Sequence, residues 1–386
     1  MQDCLRWWDQ HLKSIDTGIM DEPMLRAWIQ DPALPAPMYG SRPGRWVAED
    51  AWPSASVMQL RFGLAPGHLT TGAGAQNLMP LSSPATAGIS SGAWCGYGST
   101  PMLPLDQRQE EAGALVFDSA PLEAAVEILG FPELEVTLDC DTPTAILSAT
   151  LSAIAANGAA TRISYGILNL SHRADDFDLA PMTPGQPETI RLKLRCCGQR
   201  LNAGERIRLA LATSHWPIVF PARQRPVVTI HCAGARLTLP QRAPQASDAA
   251  LADFAPPETS APLANSLFVP PKPFLRQVTT DLITGKVTTC LEEDSGLVRH
   301  ESSGMCLSSW HQDSFSLHPD DPASAEGTSH WIKTFGRGDW QTRVDIRVTL
   351  RGLKDHWWIE THLTAHLGEE VVLDRAEARE VPRDLN

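Results

Sequence analysis

The sequence predicts a mainly β chain: an antiparallel sandwich or jelly roll, then a second antiparallel β unit, with one short helix at the start. Three observations predict this. Beyond residue 130 the apolar residues recur mostly with a period of two, as in Leu134, Val136 and Leu138 set against Glu135, Thr137 and Asp139. No run of helical period separates one strand from the next, which removes the parallel βαβ arrangement. Gly and Pro, 27 and 31 of 386 residues, punctuate the strands throughout.

The elements follow in chain order. Leu5, Trp8 and Leu12 recur at helical spacing with Asp3, Arg6, Asp9 and Lys13 between them, so residues 1–22 open with an amphipathic helix that needs a surface to lie against. Met24, Arg26 and Trp28 alternate with Leu25, Ala27 and Ile29, a first strand. Ile163, Tyr165 and Ile167 alternate with Arg162, Ser164 and Gly166; Ile190, Leu192 and Leu194 with Arg191, Lys193 and Arg195; Ile207, Leu209 and Leu211 with Arg206, Arg208 and Ala210. "TAILSATLSAIAANG" is Ala-rich but holds no 3.6 spacing, and is read as a strand. These belong to a β-sandwich over residues 23–240.

Residues 240–273 carry eight prolines and little periodicity, the chemistry of an extended spacer, so a linker is expected over 241–273. Strands resume in a second unit, 274–386, where Val344, Ile346, Val348 and Leu350 share one face.

The formal charge of −13, from 32 basic and 45 acidic side chains, argues against nucleic acid or an anionic membrane as partner. Eight cysteines include no C-x-x-C pair, so no zinc ribbon or thioredoxin-like site is expected, and reduced thiols in the cytoplasm are the default reading. In the vicinal pair, one of Cys196 and Cys197 is expected to face inward and the other outward. No apolar run is long enough to span a bilayer, and the charged start lacks the apolar core of a signal peptide.

Gly88-Ile89-Ser90-Ser91-Gly92 fits the G-x-S-x-G spelling of a hydrolase nucleophile elbow. An elbow needs a buried strand before it and a helix after it. Here "NLMPLSSPATA" precedes and "AWCGYGSTP" follows, so Ser90 is expected to be a loop residue. An activated Ser90 or Ser91 with His68 or His215 is the rival reading, since a triad is defined by geometry and not by order.

His362 and His366 have the spacing of two metal ligands on a helix, but they lie in an alternating segment. Residues four apart on a strand are about 13 Å apart, so no metal is expected. His318, Asp320, Asp321 and Glu326 lack the rhythm of a calcium loop and are read as a solvated turn. "GRGDW" is read as a glycine-bracketed turn. No catalytic residue, metal ligand or cofactor is expected. Twelve tryptophans leave open a stand-alone carbohydrate- or ligand-binding module.

Longer stretches resemble a known family. "LRWWDQHLKSIDTGIMDEPMLRAWIQ", "WVAEDAWP", "GYGSTPMLPLDQRQEEAGALVFDSAPLEAAVEILGFPELEV", "GILNLSHR", "LNAGERIRLALATSHWPIVFP", "GRGDWQTRV" and "VPRDLN" resemble the C-terminal part of the cocaine esterase and X-Pro dipeptidyl-peptidase family, the CocE/NonD hydrolases. That resemblance implies a galactose-binding-like jelly roll. It also implies an opening helix equivalent to the last helix of an α/β-hydrolase domain whose Ser, Asp and His triad lies upstream of Met1. No position here matches the triad motifs. The implied role is non-catalytic: shaping a substrate pocket, with Trp94, Tyr97 and Trp216 nearest to it. The implied partner is the α/β-hydrolase half, in cis or as a separate chain, and an unpartnered opening helix would favour homo-oligomers.

Overall fold

The computed structural model describes residues 1–96, 100–175, 177, 179–251 and 253–385. The expected helix forms over Gln2–Lys13 and stops at Ser14, which takes a left-handed conformation with φ 56° and donates its N–H to the Asp9 carbonyl. It buries none of its residues: Leu5, Trp8 and Leu12 are 60%, 53% and 73% exposed. Arg6 ties it to the following turn through Glu22 at 2.5 Å.

Among the described residues the remaining chain forms two sheets, of fourteen and eight strands. The first sheet is antiparallel apart from two single-pair parallel contacts, Gln30 with Gln199 and His68 with Asp118. It folds back on itself as a jelly-roll sandwich. The fifteen-residue strand Val228–Arg242 pairs with four others, changing partners where its register shifts between His231 and Arg236. Leu134, Val136 and Leu138 of one layer meet Leu147, Leu151 and Leu209 of the other in one buried core. The two-residue period read from the sequence is this inward face.

Two strands depart from simple alternation, each for a packing reason. Ile146–Ile154, the Ala-rich stretch, is covered on both faces: Leu147, Ala149 and Leu151 enter the core, while Ser148 and Ser152 are buried on the opposite side. Small residues there let a covering segment approach. In Ala160–Asn169 the register shifts between Arg162 and Ser164, and Ser164, Tyr165 and Gly166 are all buried. The cause is residues 193–195 lying across the strand. Arg195 N–H donates to the Tyr165 carbonyl at 2.9 Å, the Ser164 hydroxyl donates to the Arg195 carbonyl at 2.6 Å, and a Cβ on Gly166 would sit 3.0 Å from the Lys193 carbonyl. The expected clean alternation of Arg162, Ser164 and Gly166 with Ile163, Tyr165 and Ile167 is therefore corrected.

Within the Pro-rich stretch, the turn Ala246–Ala250 is anchored by Asp248, whose carboxylate receives both terminal nitrogens of Arg242 at 2.8 and 2.6 Å. The second sheet is antiparallel throughout and runs as successive hairpins from Val287–His300 to Glu370–Pro382. The "GRGDW" turn joins Asp321–Arg337 to Trp340–Gly352 with Gly338 at φ 58°. Leu350 pairs with Ile359 and Ile346 with Leu363, giving one half-buried apolar face. At one end that face meets the sandwich, where Phe315, Leu317 and Ala325 pack with Trp216 and Ala85.

All eight cysteines are free. Cys196 is exposed, and its neighbour Cys197 is buried enough to push its thiol up to about 12. No helix among the described residues is long and apolar enough to cross a membrane.

Candidate functional site

Residues 83–96 and 100–114 cover the outer side of Ile146–Ile154 and Arg206–Ala212. Backbone and side-chain bonds hold this segment down. Ser83 N–H donates to the Thr213 hydroxyl at 2.9 Å, the Ser214 hydroxyl to the Ala85 carbonyl at 2.8 Å, and Trp216 N–H to the Ala87 carbonyl at 2.8 Å. The glycine-rich turn sits in this segment. Gly88 needs its φ of 103°, and a Cβ there would lie 2.8 Å from the backbone of His215, a clash no side chain can relieve.

Ser90 is only 8% exposed and Ser91 is buried as well. The N–H groups of Gly88 and Ser90 both donate to the Glu110 carboxylate at 2.5 Å. The anchor of this turn is thus a carboxylate, where a nucleophile elbow needs an open oxyanion site. The histidine nearest in function is committed elsewhere: His215 Nδ1 lies 2.7 Å from the Ser148 hydroxyl. Beneath the turn, Ser91, Glu111, Ser148 and His215 surround a cavity of about 20 Å³, the size of one water and too small for a substrate. Burial raises the pKa of Glu111 against the pull of Arg208, which donates to it at 2.5 Å. His68, the other histidine considered, lies exposed on the short strand His68–Thr70. No hydrogen bond joins Ser90 or Ser91 to a histidine among the described residues.

Of the three residues expected at a pocket wall, Trp94 is 61% exposed, and the Arg195 guanidinium sits 3.9 Å over its ring. Trp216 is fully buried, meeting Phe220 edge-on at 5.1 Å and Phe315 at 6.1 Å. Tyr97 lies outside the described residues.

The sequence reading missed the cleft that Trp94 borders and that Trp216 does not line. Between the sandwich and the second sheet runs a mainly apolar cleft of about 480 Å³, walled by Trp94, Ile146, Ile167, Phe220, Pro221 and Trp357. One end of it is fixed by Arg383. Its guanidinium lies 4.2 Å over Trp357, donates to the Pro221 carbonyl at 2.7 Å and to the Leu353 carbonyl at 3.0 Å, and is lowered to about 10 by burial and then by Arg223. Phe220 meets Trp357 edge-on at 5.3 Å, so an aromatic contact joins the loop after Arg206–Ala212 to the second sheet. Nothing in the spacing of these residues announces a cleft, since they come from five separate stretches of chain.

Proteins of Mycobacterium bovis and Mycobacterium tuberculosis described as serine esterases are each 24% identical over 245 residues, covering 56% of this chain and 37% of their own length. The chain therefore spans little more than a third of the relatives it matches. Among solved structures, an aminopeptidase from a marine-sediment Thaumarchaeota archaeon aligns at 16% identity with a TM-score of 0.49 over 62% of this chain and 43% of its own. An α-amino acid ester hydrolase aligns at 16% and 0.46 over 51% and 39%, and a CocE/NonD family hydrolase of Staphylococcus aureus at 12% and 0.46 over 63% and 46%. The model of the X-Pro dipeptidyl-peptidase C-terminal non-catalytic domain matches residues 17–248, more than half of the sequence. Through that region the chain belongs to the X-Pro dipeptidyl-peptidase C-terminal domain family.

Proposed function

We propose that this chain is the non-catalytic, substrate-shaping region of a serine hydrolase that cleaves acyl bonds, in X-Pro peptides or esters. The chemistry is supplied by an α/β-hydrolase domain carrying the Ser, Asp and His triad, in cis or as a separate chain. The observation that carries this reading is the apolar cleft beside Trp94, large enough for an acyl group, near a G-x-S-x-G turn whose serines are buried and hydrogen-bonded to no histidine among the described residues. The contribution of such a region is contact area, orientation and exclusion of water. The free thiols support a reducing compartment, the cytoplasm, as the place of work.

Fluorophosphonate labelling of the chain, beside Ser90→Ala and Ser91→Ala, tests the non-catalytic half of the proposal. The expected result is no labelling in any version, and labelling that vanishes in one mutant overturns it. In the enzyme with its hydrolase domain, Trp94→Ala tests the pocket wall. KM for an acyl ester rises with kcat nearly unchanged, as lost uniform binding predicts. An unchanged KM sinks the role of Trp94.

A further inference from the structure

Three arginines from distant parts of the chain reach the covering segment around Ser91, Trp94 and Leu103. Arg162 lies on Ala160–Asn169, Arg195 precedes Cys197–Leu201, and Arg276 lies on Leu275–Thr280 of the second sheet. The Arg162 guanidinium sits 4.3 Å from the centre of the Tyr165 ring. That of Arg195 sits 4.9 Å from the same ring and 3.9 Å from the ring of Trp94. Arg162 donates to the Ser91 carbonyl at 2.5 Å and Arg276 to the Leu103 carbonyl at 2.9 Å, so both are anchored to the covering segment.

None of the three enters an ion pair with Asp or Glu among the described residues. This is not for want of carboxylates in a chain with 45 acidic against 32 basic side chains. Elsewhere arginines are paired closely: Arg173 with Glu188, Arg208 with Glu111 and Asp118, Arg242 with Glu49 and Asp248. The carboxylate closest in effect, Glu110, is occupied by two backbone N–H groups and acts on Arg276 only through space. Burial, and then the charges of Arg195 and Arg276 working against the favourable Tyr165, hold Arg162 down at about 10. The Tyr165 hydroxyl, which acts on the charge of Arg162, is buried with no hydrogen-bond partner.

Three like charges held together with no ion-paired carboxylate among the described residues are electrostatically costly, and a bound anion lowers that cost. Arg162 and Arg195 stack on aromatic faces, and the N–H groups that the three arginines do not give to the Ser91 and Leu103 carbonyls can donate to an oxyanion. We propose that Arg162, Arg195 and Arg276 form a binding site for an oxyanion, opening to solvent at Trp94 and Arg195. Its assignment to the carboxylate of an acyl substrate or product rests on the function proposed above; the anion site itself does not.

The test is calorimetric titration of the chain with an N-acetylated amino acid and, separately, with inorganic phosphate, at ionic strength held constant with chloride. The expected result is saturable carboxylate binding that raises the melting temperature. Arg195→Gln and Arg276→Gln each weaken it about tenfold or more, the loss expected for a charge-assisted contact. These two arginines are less buried than Arg162, so their variants test the site even where Arg162→Gln fails to fold. No saturation with either anion, or affinities equal in wild type and variants, overturns the site. Saturation by phosphate alone keeps the oxyanion site and overturns its assignment to an acyl carboxylate. The Trp94→Ala kinetics then decide the pocket-wall reading on their own.

Discussion

The hydroxyl of Ser148 lies 2.7 Å from Nδ1 of His215, in the layer between the sandwich and the segment that covers it. The imidazole stacks parallel on Tyr165, with ring centres 5.3 Å apart and planes 7° from parallel, and its Nε2 reaches no partner. Burial first, and the nearby Arg162 cation second, lower His215 to about 3. A serine and a histidine in contact thus form a neutral structural pair. Its base is spent as a base only in strong acid.

The His215 shift sets a pH dependence of stability. The unfolded chain takes up a proton below about 6.5 and the folded chain does not until about 3, so neither state is favoured above 6.5 and folding weakens as pH falls through that window. The loss from this group approaches ~1.4 kcal/mol per pH unit. Urea unfolding at pH 7 and pH 4.5 checks it: His215→Asn costs stability at pH 7, and its deficit against wild type shrinks at pH 4.5. An unchanged deficit removes His215 from the acid response.

Arg242 is fully buried and donates to Glu49 at 2.5 Å and to Asp248 at 2.6 and 2.8 Å. Burial opposes the charge on Glu49, but the hydroxyls of Ser54 and Ser56 together with Arg242 outweigh it and keep the carboxyl below its usual range. Arg242→Met strands two buried carboxylates and is expected to cost about 3–5 kcal/mol. A shift of the urea midpoint at constant slope measures it.

Gly88→Ala adds a Cβ 2.8 Å from the backbone of His215 at a φ of 103°. The expected cost is about 2 kcal/mol or more, without any change in fluorophosphonate reactivity. A variant as stable as wild type would show that the turn yields, and would weaken the account of this glycine as a packing residue.

Residues 2–13 present Leu5, Trp8 and Leu12 to solvent. Deleting residues 1–22 is expected to leave the melting temperature unchanged while shifting gel-filtration and light-scattering profiles toward monomer. Loss of the cooperative transition would instead make the helix part of this fold.

Much of the fold is legible from local pattern alone. Leu134, Val136 and Leu138 alternate because one face of their strand is core and the other is not, and the exposed helix announces itself by Leu5, Trp8 and Leu12. The same logic fails at Ile146–Ile154 and around Ser164, where both faces are covered and small residues replace the alternation. Context also argues against the elbow: prolines stand before Gly88 and a loop follows Gly92.

By itself, then, the sequence determined the β class, the clearest of the strands and the family, because each is written in neighbouring residues. Only the tertiary structure decided that His215 pairs with Ser148, that Trp216 is sealed while Trp94 is open, and that Arg162, Arg195 and Arg276 stand near one another with no ion-paired carboxylate among the described residues. These residues are brought together by strand pairing and by the docking of one sheet on another. Such contacts depend on register and layer order, and the period of a single strand carries no record of either.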